Sequence, residues 1–89
     1  MGNKNLRPKN DVISRQVGDE RVLVHLQSNE MYSLNATGAR AWELLSEGRD
    51  EEAIAATLAD EYDIDRAEAQ RELETLLEEL ERQQLVERA

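Results

Sequence analysis

Few residues of this 89-residue chain could carry out acid–base or nucleophilic chemistry. His25 is the single histidine, cysteine is absent, and no serine or aspartate stands near His25 in a spacing typical of a catalytic triad. A lone histidine on a predicted strand is ordinarily a partly exposed sheet residue. A mechanism with a nucleophile and a base therefore finds little support, and we predict that the protein is not an enzyme.

The carboxylates are numerous, but their spacing favours helix surfaces over catalytic or metal sites. They occur in pairs such as Glu51-Glu52 and Glu78-Glu79 on predicted helices, whereas general acid–base catalysis requires a shielded pocket. Asp63-Ile64-Asp65 resembles the start of a calcium loop. Ala67 and Glu68 stand where that loop requires a third ligand and a glycine. We predict neither a metal nor a cofactor.

The distribution of charge argues against nucleic acid as a partner. The net charge is −9, and residues 26–89 carry 17 acidic side chains against six arginines. Nucleic-acid binding relies on Lys and Arg, so this half of the chain repels phosphate backbones, whereas a basic partner would be attracted. No apolar run approaches the roughly 20 residues that span a bilayer. Residues 1–10 also lack the apolar segment of a secretory signal. We expect a cytoplasmic protein with no nucleic-acid and no membrane partner.

The hydrophobic spacing of the first part of the chain predicts a three-stranded antiparallel meander. The strands are expected at 11–17, 21–27 and 31–34, with tight turns at Gly18-Asp19-Glu20 and Ser28-Asn29-Glu30. In the second strand Val22, Val24 and Leu26 are assigned to the inward face, opposite Leu23 and His25. Residues 1–10 are polar and are predicted to be a disordered tail, which leaves 11–89 as a single domain.

After Asn35 the apolar period becomes helical, and the pattern predicts three helices, at 36–47, 51–61 and 66–84. Asn35, Asp50 and Asp65 are the expected N-caps, and Gly48 is the left-handed residue that follows the first helix. Trp42 is expected to be buried. Because so small a sheet needs cover on one face, we predict an α+β domain of winged-helix type: a three-stranded antiparallel meander followed by three helices.

These elements also predict a peptide-binding groove. The third strand is the expected sheet edge, and unpaired backbone groups on an edge can accept an extended peptide as an added strand. The third helix would line one wall with leucines and the rim with acids, unless all these leucines belong to the core. The candidate peptide-binding residues are Met31, Tyr32, Ser33, Leu34, Glu72, Leu73, Leu76, Leu77, Glu79 and Leu80.

A winged-helix DNA reader is the structural rival of that interpretation. Its recognition helix would have to be the third helix, which carries three arginines against six glutamates over residues 66–82. A helix that reads DNA directs basic and amide side chains towards bases and phosphates. The layout therefore fits the winged-helix class, whereas the charge does not fit a DNA-binding protein.

Residues 31–45 resemble the signature of the PqqD family, named for pyrroloquinoline quinone biosynthesis. The segment reads Met-Tyr-Ser-Leu-Asn-Ala-Thr-Gly-Ala-Arg-Ala-Trp-Glu-Leu-Leu. The shared pattern is an aromatic residue, Leu-Asn, Thr-Gly and a tryptophan, and Leu34 to Trp42 is its most specific part. Similarity continues through Gly48, Leu58 to Tyr62 and Leu85-Val86, covering about residues 12–86. The chain has less arginine and aromatic content than stricter quinone-pathway members, which leaves the pathway open.

The resemblance implies a non-catalytic adaptor, a recognition element for ribosomally made and post-translationally modified peptides. Such domains bind the leader of a precursor peptide as an added strand between the third strand and the third helix. They present it to a modifying enzyme, which is a radical-SAM protein in the quinone pathway or a protease in lasso-peptide pathways. The alternative is a winged-helix regulatory or protein-interaction domain without a leader-peptide ligand. A homodimer is left open.

Overall fold

The computed structural model describes residues 6–88, which form five strands and three helices. The strands are β1 (Leu6–Pro8), β2 (Val12–Val17), β3 (Glu20–His25), β4 (Glu30–Leu34) and β5 (Val86–Arg88). The helices are α1 (Ala36–Ser46), α2 (Glu51–Tyr62) and α3 (Arg66–Arg82).

The central sheet is antiparallel with the strand order β2-β3-β4. Gly18 opens the two-residue turn between β2 and β3 with a φ of +64°, a conformation that glycine adopts without a steric penalty. Asn29 ends the turn between β3 and β4 with a φ of 61°, and its N–H donates to the His25 carbonyl at 2.7 Å. The predicted meander is confirmed, and β4 lies at an edge of the sheet.

The inward face of β3 is the opposite of the one predicted. Leu23 is fully buried, whereas Leu26 is 52% exposed and Val22 and Val24 are half-buried. Alternation along a strand defines two faces without saying which one the helices will cover. The helices cover the face that carries Leu23, and its cross-strand partner Tyr32 lies on that same face.

His25 is buried rather than partly exposed, because it shares the covered face of β3. Its Nδ1 accepts a hydrogen bond from the backbone N–H of Gln27 at 3.3 Å. That bond gives the buried ring nitrogen a partner, as buried polar groups in folded proteins require.

The helix termini follow the sequence closely, with one exception. Asn35 and Asp50 each cap a helix by accepting a hydrogen bond from a backbone N–H three residues on. Gly48, just beyond α1, has a φ of +89° as expected. Asp65 occupies the N-cap position of α3 but makes no capping hydrogen bond with its side chain. Asp65 is therefore the N-cap by position, and the side-chain hydrogen bond expected of it is absent.

The hydrophobic core lies between the covered face of the sheet and the three helices. Trp42 is only 3% exposed, which confirms its predicted burial. The largest side chains that are wholly buried come from the sheet and from all three helices: Leu23, Leu44, Ile54, Leu73 and Leu80. α1 packs against β3 and β4, while α2 and α3 pack against α1 and against each other, and this packing sets the position of α3.

The two ends of the described chain form a second sheet that the sequence analysis did not predict. β1 pairs antiparallel with β5, and Leu6, Leu85 and Val86 are all buried. The predicted disordered tail is therefore wrong for Leu6–Pro8, while its residues 1–5 lie outside the described range. A three-residue strand is too short to show a hydrophobic period, and its partner is some eighty residues away.

Candidate functional site

The register of the sheet shows which backbone groups of β4 face its free edge. The N–H of Leu26 donates to the carbonyl of Asp11 at 2.8 Å, on the β2 side of β3. Backbone groups alternate between the two sides of a strand, so the odd-numbered residues of β3 bond to β4. Their partners in β4 are Glu30, Tyr32 and Leu34. Met31 and Ser33 consequently direct their N–H and C=O groups to the free edge.

A groove of about 400 Å³ lies between this part of the chain and α3. Its apolar lining comes from α1, α2 and α3, through Ala41, Leu58, Leu73 and Leu76. Tyr32 contributes from β4, on the face of the sheet that the helices cover. The free backbone edge and an apolar groove therefore stand side by side.

One end of the groove is built by the first turn of α1. The Asn35 Oδ1 accepts from the backbone N–H of Gly38 at 2.9 Å, which begins the helix directly after β4. A Cβ placed on Gly38 would lie 3.3 Å from both the Leu34 Cδ2 and the Asn35 Oδ1. The glycine lets the helix start close against the end of the strand. Asn35, Gly38 and Thr37 between them all line the groove.

The rim of the groove on α3 is acidic. Glu72 is exposed, and Glu79 is half-buried and accepts hydrogen bonds from Arg82 and Gln83, both at 3.1 Å. Burial raises the pKa of Tyr32, the nearby Glu79 carboxylate raises it further, and Arg82 opposes that rise. The Tyr32 phenol therefore keeps its proton at neutral pH and remains a hydrogen-bond donor beside this rim.

The ten candidate residues divide into three groups in the structure. Tyr32, Glu72, Leu73, Leu76 and Glu79 line the groove. Leu34, Leu77 and Leu80 are buried in the core. Leu77 and Leu80 therefore do not form the groove wall expected of them, and the backbone of Leu34 faces β3 instead of the free edge. Met31 and Ser33 offer backbone groups at the edge, while their exposed side chains lie on the opposite face of the sheet.

Six groove residues were absent from the candidate set: Asn35, Thr37, Gly38, Ala41, Leu58 and Thr75. Asn35, Thr37 and Gly38 belong to the signature segment, so the sequence did contain a signal for them. Leu58 belongs to the second similar segment, Leu58 to Tyr62, but nothing in that segment indicated a place in the groove. Thr75 carried no signal, because only the packing of α3 brings it to the groove.

Within residues 6–88, no cluster of three or more His, Cys, Asp or Glu side chains is arranged to hold a metal ion. None of the three helices combines the length and the apolar character needed to cross a bilayer.

The fold and the groove define a class of protein, a small α+β domain whose free sheet edge is open to an added strand. Residues 20–86 match the family described as coenzyme PQQ synthesis protein D (PqqD). The chain therefore belongs to the PqqD family, and the resemblance seen in its sequence is confirmed. None of the curated proteins compared with it matches.

Two solved structures resemble the chain over nearly their whole lengths. TbiB1, in complex with the TbiA(beta) leader peptide, is 37% identical with a TM-score of 0.86, and the match covers 91% of this chain and 94% of that one. Lasso peptide synthetase B1, complexed with the leader peptide, is 25% identical with a TM-score of 0.86, over 93% of this chain and 98% of that one. Both similar structures are complexes with a leader peptide.

Proposed function

We propose that this protein is a non-catalytic adaptor that binds the leader of a ribosomally made precursor peptide and presents it to a modifying enzyme. The observation that carries the proposal is the free edge of β4 beside a groove built from the family signature. Family membership and the two similar leader-peptide complexes support it. The enzyme would be of the radical-SAM or leader-protease type.

The backbone of β4 supplies the affinity in this mechanism. The peptide adds as a fourth strand and pairs with the free N–H and C=O groups of Met31 and Ser33. Main-chain pairing makes little demand on sequence, so selectivity has to come from the side chains that enter the groove. An added strand lies about 4.8 Å from β4, on the side that faces α3.

The length of the groove limits how much of the peptide it can read. Its α3 wall runs from Glu72 to Glu79, about 10 Å along a helix that rises about 1.5 Å per residue. That length matches about three residues of an extended chain. Because alternate side chains of a strand point to the same face, one or two apolar side chains of the leader would enter the groove.

The deciding experiment is a titration of fluorescently labelled leader peptides, taken from precursor genes near this gene, with the purified protein. We expect saturable binding for the cognate leader and none for a scrambled peptide of the same composition. Amide shifts should map to β4, to the first turn of α1 and to α3. Shifts confined to other elements, with β4 silent, would place the site elsewhere. Failure of every leader to bind would favour a regulatory domain without this ligand.

The acidic rim predicts a salt-dependent part of the affinity. Glu72 and Glu79 should favour a leader with Lys or Arg beside its apolar anchors. Exposed charges are screened within about 8–10 Å at physiological ionic strength, so higher salt should weaken that contribution while the apolar part persists. In salt series, Glu72→Gln should flatten the dependence and the exposed control Glu52→Gln should not. If the affinity depended on salt equally in both variants, the acidic rim would not be part of the peptide-binding site.

A further inference from the structure

His25 has one ring nitrogen that the fold does not use. The residue is only 7% exposed, and its Nδ1 accepts a hydrogen bond from the Gln27 N–H at 3.3 Å. A nitrogen that accepts carries no proton, so the proton of the ring is on Nε2. Nε2 donates to no residue from 6 to 88. Buried polar groups ordinarily have a partner, so an unused donor on so buried a ring points to a ligand.

The His25 ring lines a cleft of about 410 Å³ between the start of β4 and the end of α3. Glu30 lines the cleft from the strand, and Arg82 and Gln84 line it from the last residue of α3 and the segment after it. Within residues 6–88, the Arg21 Nε is the only side-chain nitrogen or oxygen that is both fully buried and without a partner. The His25 Nε2 is therefore open to solvent, and the cleft is the opening through which a ligand reaches it.

This cleft continues the leader groove along both of its walls. Tyr32 lines the groove, and Glu30, two residues earlier on the same face of β4, lines the cleft. On α3, Glu79 lines the groove and accepts a hydrogen bond from Arg82 of the cleft at 3.1 Å. A strand added at β4 passes the groove and then the cleft. Its residues opposite Tyr32 and Glu30 lie about 7 Å apart and point to the same face.

We propose that the cleft is a subsite for a glutamine side chain of the leader, an inference that rests on the proposed function. His25 and Glu30 are cross-strand partners, so they share one row with the leader residue opposite Glu30. Two strand spacings, about 10 Å, separate that residue from His25, so only a long side chain reaches the ring. The glutamine oxygen accepts from the His25 Nε2, and the glutamine N–H donates to the Glu30 carboxylate.

The charges of the cleft disfavour other unbranched side chains of that length. The Arg82 guanidinium is engaged by Glu79, whereas Glu30 forms no ion pair with any residue from 6 to 88. A leader glutamate would be repelled by Glu30. A lysine or arginine has no acceptor and would leave the His25 Nε2 unpaired. A methionine would leave both His25 and Glu30 without a partner, whereas a primary amide serves both.

The test compares four leader peptides that differ only at the residue opposite Glu30, which interstrand nuclear Overhauser effects locate. That residue is glutamine, methionine, glutamate or lysine. In fluorescence anisotropy, wild type should bind the glutamine peptide about tenfold more tightly than the nearly isosteric methionine peptide. Equal affinities overturn this inference alone, and tightest binding of the lysine peptide would make the cleft a cation site and overturn it too. If no leader peptide binds, the proposed function falls as well.

Two substitutions of His25 separate the roles of its nitrogens. Asparagine can keep an acceptor near the position of Nδ1 and has no atom at that of Nε2, whereas glutamine can place an N–H near Nε2. His25→Asn should reduce the preference for the glutamine peptide to about twofold or less, and His25→Gln should keep most of it. Circular dichroism verifies folding. A folded His25→Asn protein with the full preference would overturn the proposal.

Glu30→Gln tests the second contact of the amide. It should strengthen binding of the glutamate peptide about tenfold, because the repelling carboxylate is gone. The exposed control Glu52→Gln should leave all four affinities as in wild type. Unchanged rejection of the glutamate peptide by Glu30→Gln would show that Glu30 does not face the leader side chain, and would overturn the assignment.

A measurement on the wild type makes the test independent of any substitution. His25 is the single histidine, so its ring nitrogens are assigned without ambiguity in long-range ¹H–¹⁵N spectra. Nε2 should be the protonated nitrogen, and its resonance should shift on saturation with the glutamine peptide and far less with the methionine peptide. An Nε2 resonance that the bound glutamine peptide leaves unchanged would overturn the subsite.

Discussion

At the scale of single residues, Ser33 is the position where a substitution should impair peptide binding without impairing folding. Its N–H faces the free edge of β4 and has no hydrogen-bond partner among the described residues, so proline at this position removes a donor that only an added strand would use. We expect Ser33→Pro to weaken leader binding by about tenfold, or about 1.4 kcal/mol, with little change in the urea midpoint.

The neighbouring residue provides the control for that substitution. The N–H of Tyr32 points into the sheet, so Tyr32→Pro breaks the β3–β4 ladder and should lower the urea midpoint strongly. A Ser33→Pro protein that binds leader as wild type would show that the peptide does not pair with β4.

Asn35 serves both the fold and the groove. Its side chain caps α1 through the bond to Gly38 at 2.9 Å, and it also lines the groove. Asn35→Ala should cost about 1 kcal/mol of unfolding free energy, measured by urea titration of Trp42 fluorescence. Asn35→Ser, which keeps a capping oxygen, should recover most of that loss. An alanine variant as stable as wild type would mean that the cap does not stabilise α1.

At the scale of elements, α1 and α2 are joined by a two-bond ion pair. Arg40 donates to both carboxylate oxygens of Glu61, at 2.9 and 2.8 Å, and to Glu43 at 2.7 Å. The hydrogen bonds from Arg40 hold the pKa of Glu61 below its ordinary value of 4.5. Because the folded pKa is the lower one, this pair contributes stability above the unfolded value and loses it as the pH falls through the folded value.

We therefore expect the stability difference between wild type and Glu61→Gln to be present at neutral pH and to disappear in acid. Thermal unfolding followed by circular dichroism from pH 7 to pH 2 measures it. Asp60→Asn is the control, since Asp60 is an exposed neighbour that forms no ion pair with any residue from 6 to 88. A difference between wild type and Glu61→Gln that stays constant down to the lowest pH would show that the pair does not link stability to this carboxylate.

The third helix shows how one apolar stripe can serve two purposes. Leu77 and Leu80 pack into the core, Leu76 is half-buried beside the groove, and Leu73 is buried and also lines the groove. The helical period identifies the stripe but does not indicate which of its leucines belong to the core and which line the groove. That division depends on the angle at which α3 crosses the sheet, which is set by packing against α1 and α2.

At the scale of the whole molecule, the β1–β5 sheet ties the two ends of the described chain together. Leu6 is 3% exposed and belongs to the hydrophobic core, so Leu6→Ala should cost about 2–5 kcal/mol in urea unfolding. Arg7→Ala is the matched control, because its side chain is 58% exposed and its ion pair with Glu87 at 3.0 Å is a surface contact worth about 0–1 kcal/mol. Equal stability of Leu6→Ala and wild type would contradict the structural role of β1.

The sequence alone determined the features that are encoded in neighbouring residues. The change of apolar period at Asn35, the left-handed turn residues Asn29 and Gly48, and the cap at Asp50 all depend on local backbone preferences, and the structure contains each of them. The signature from Leu34 to Trp42 is likewise continuous in the chain, and it identified the family that the comparison confirms.

Only the tertiary structure decided which side chains are buried and which line the groove, because both depend on elements that are distant in the chain. It placed Leu23 rather than Val22 and Val24 on the covered face, assigned Leu77 and Leu80 to the core, and brought Leu58 to the groove. It also paired Leu6 with Arg88 at the far end of the chain. Local preferences fix the direction of the backbone within a few residues, whereas burial is decided by whichever element, however distant in the chain, covers the side chain.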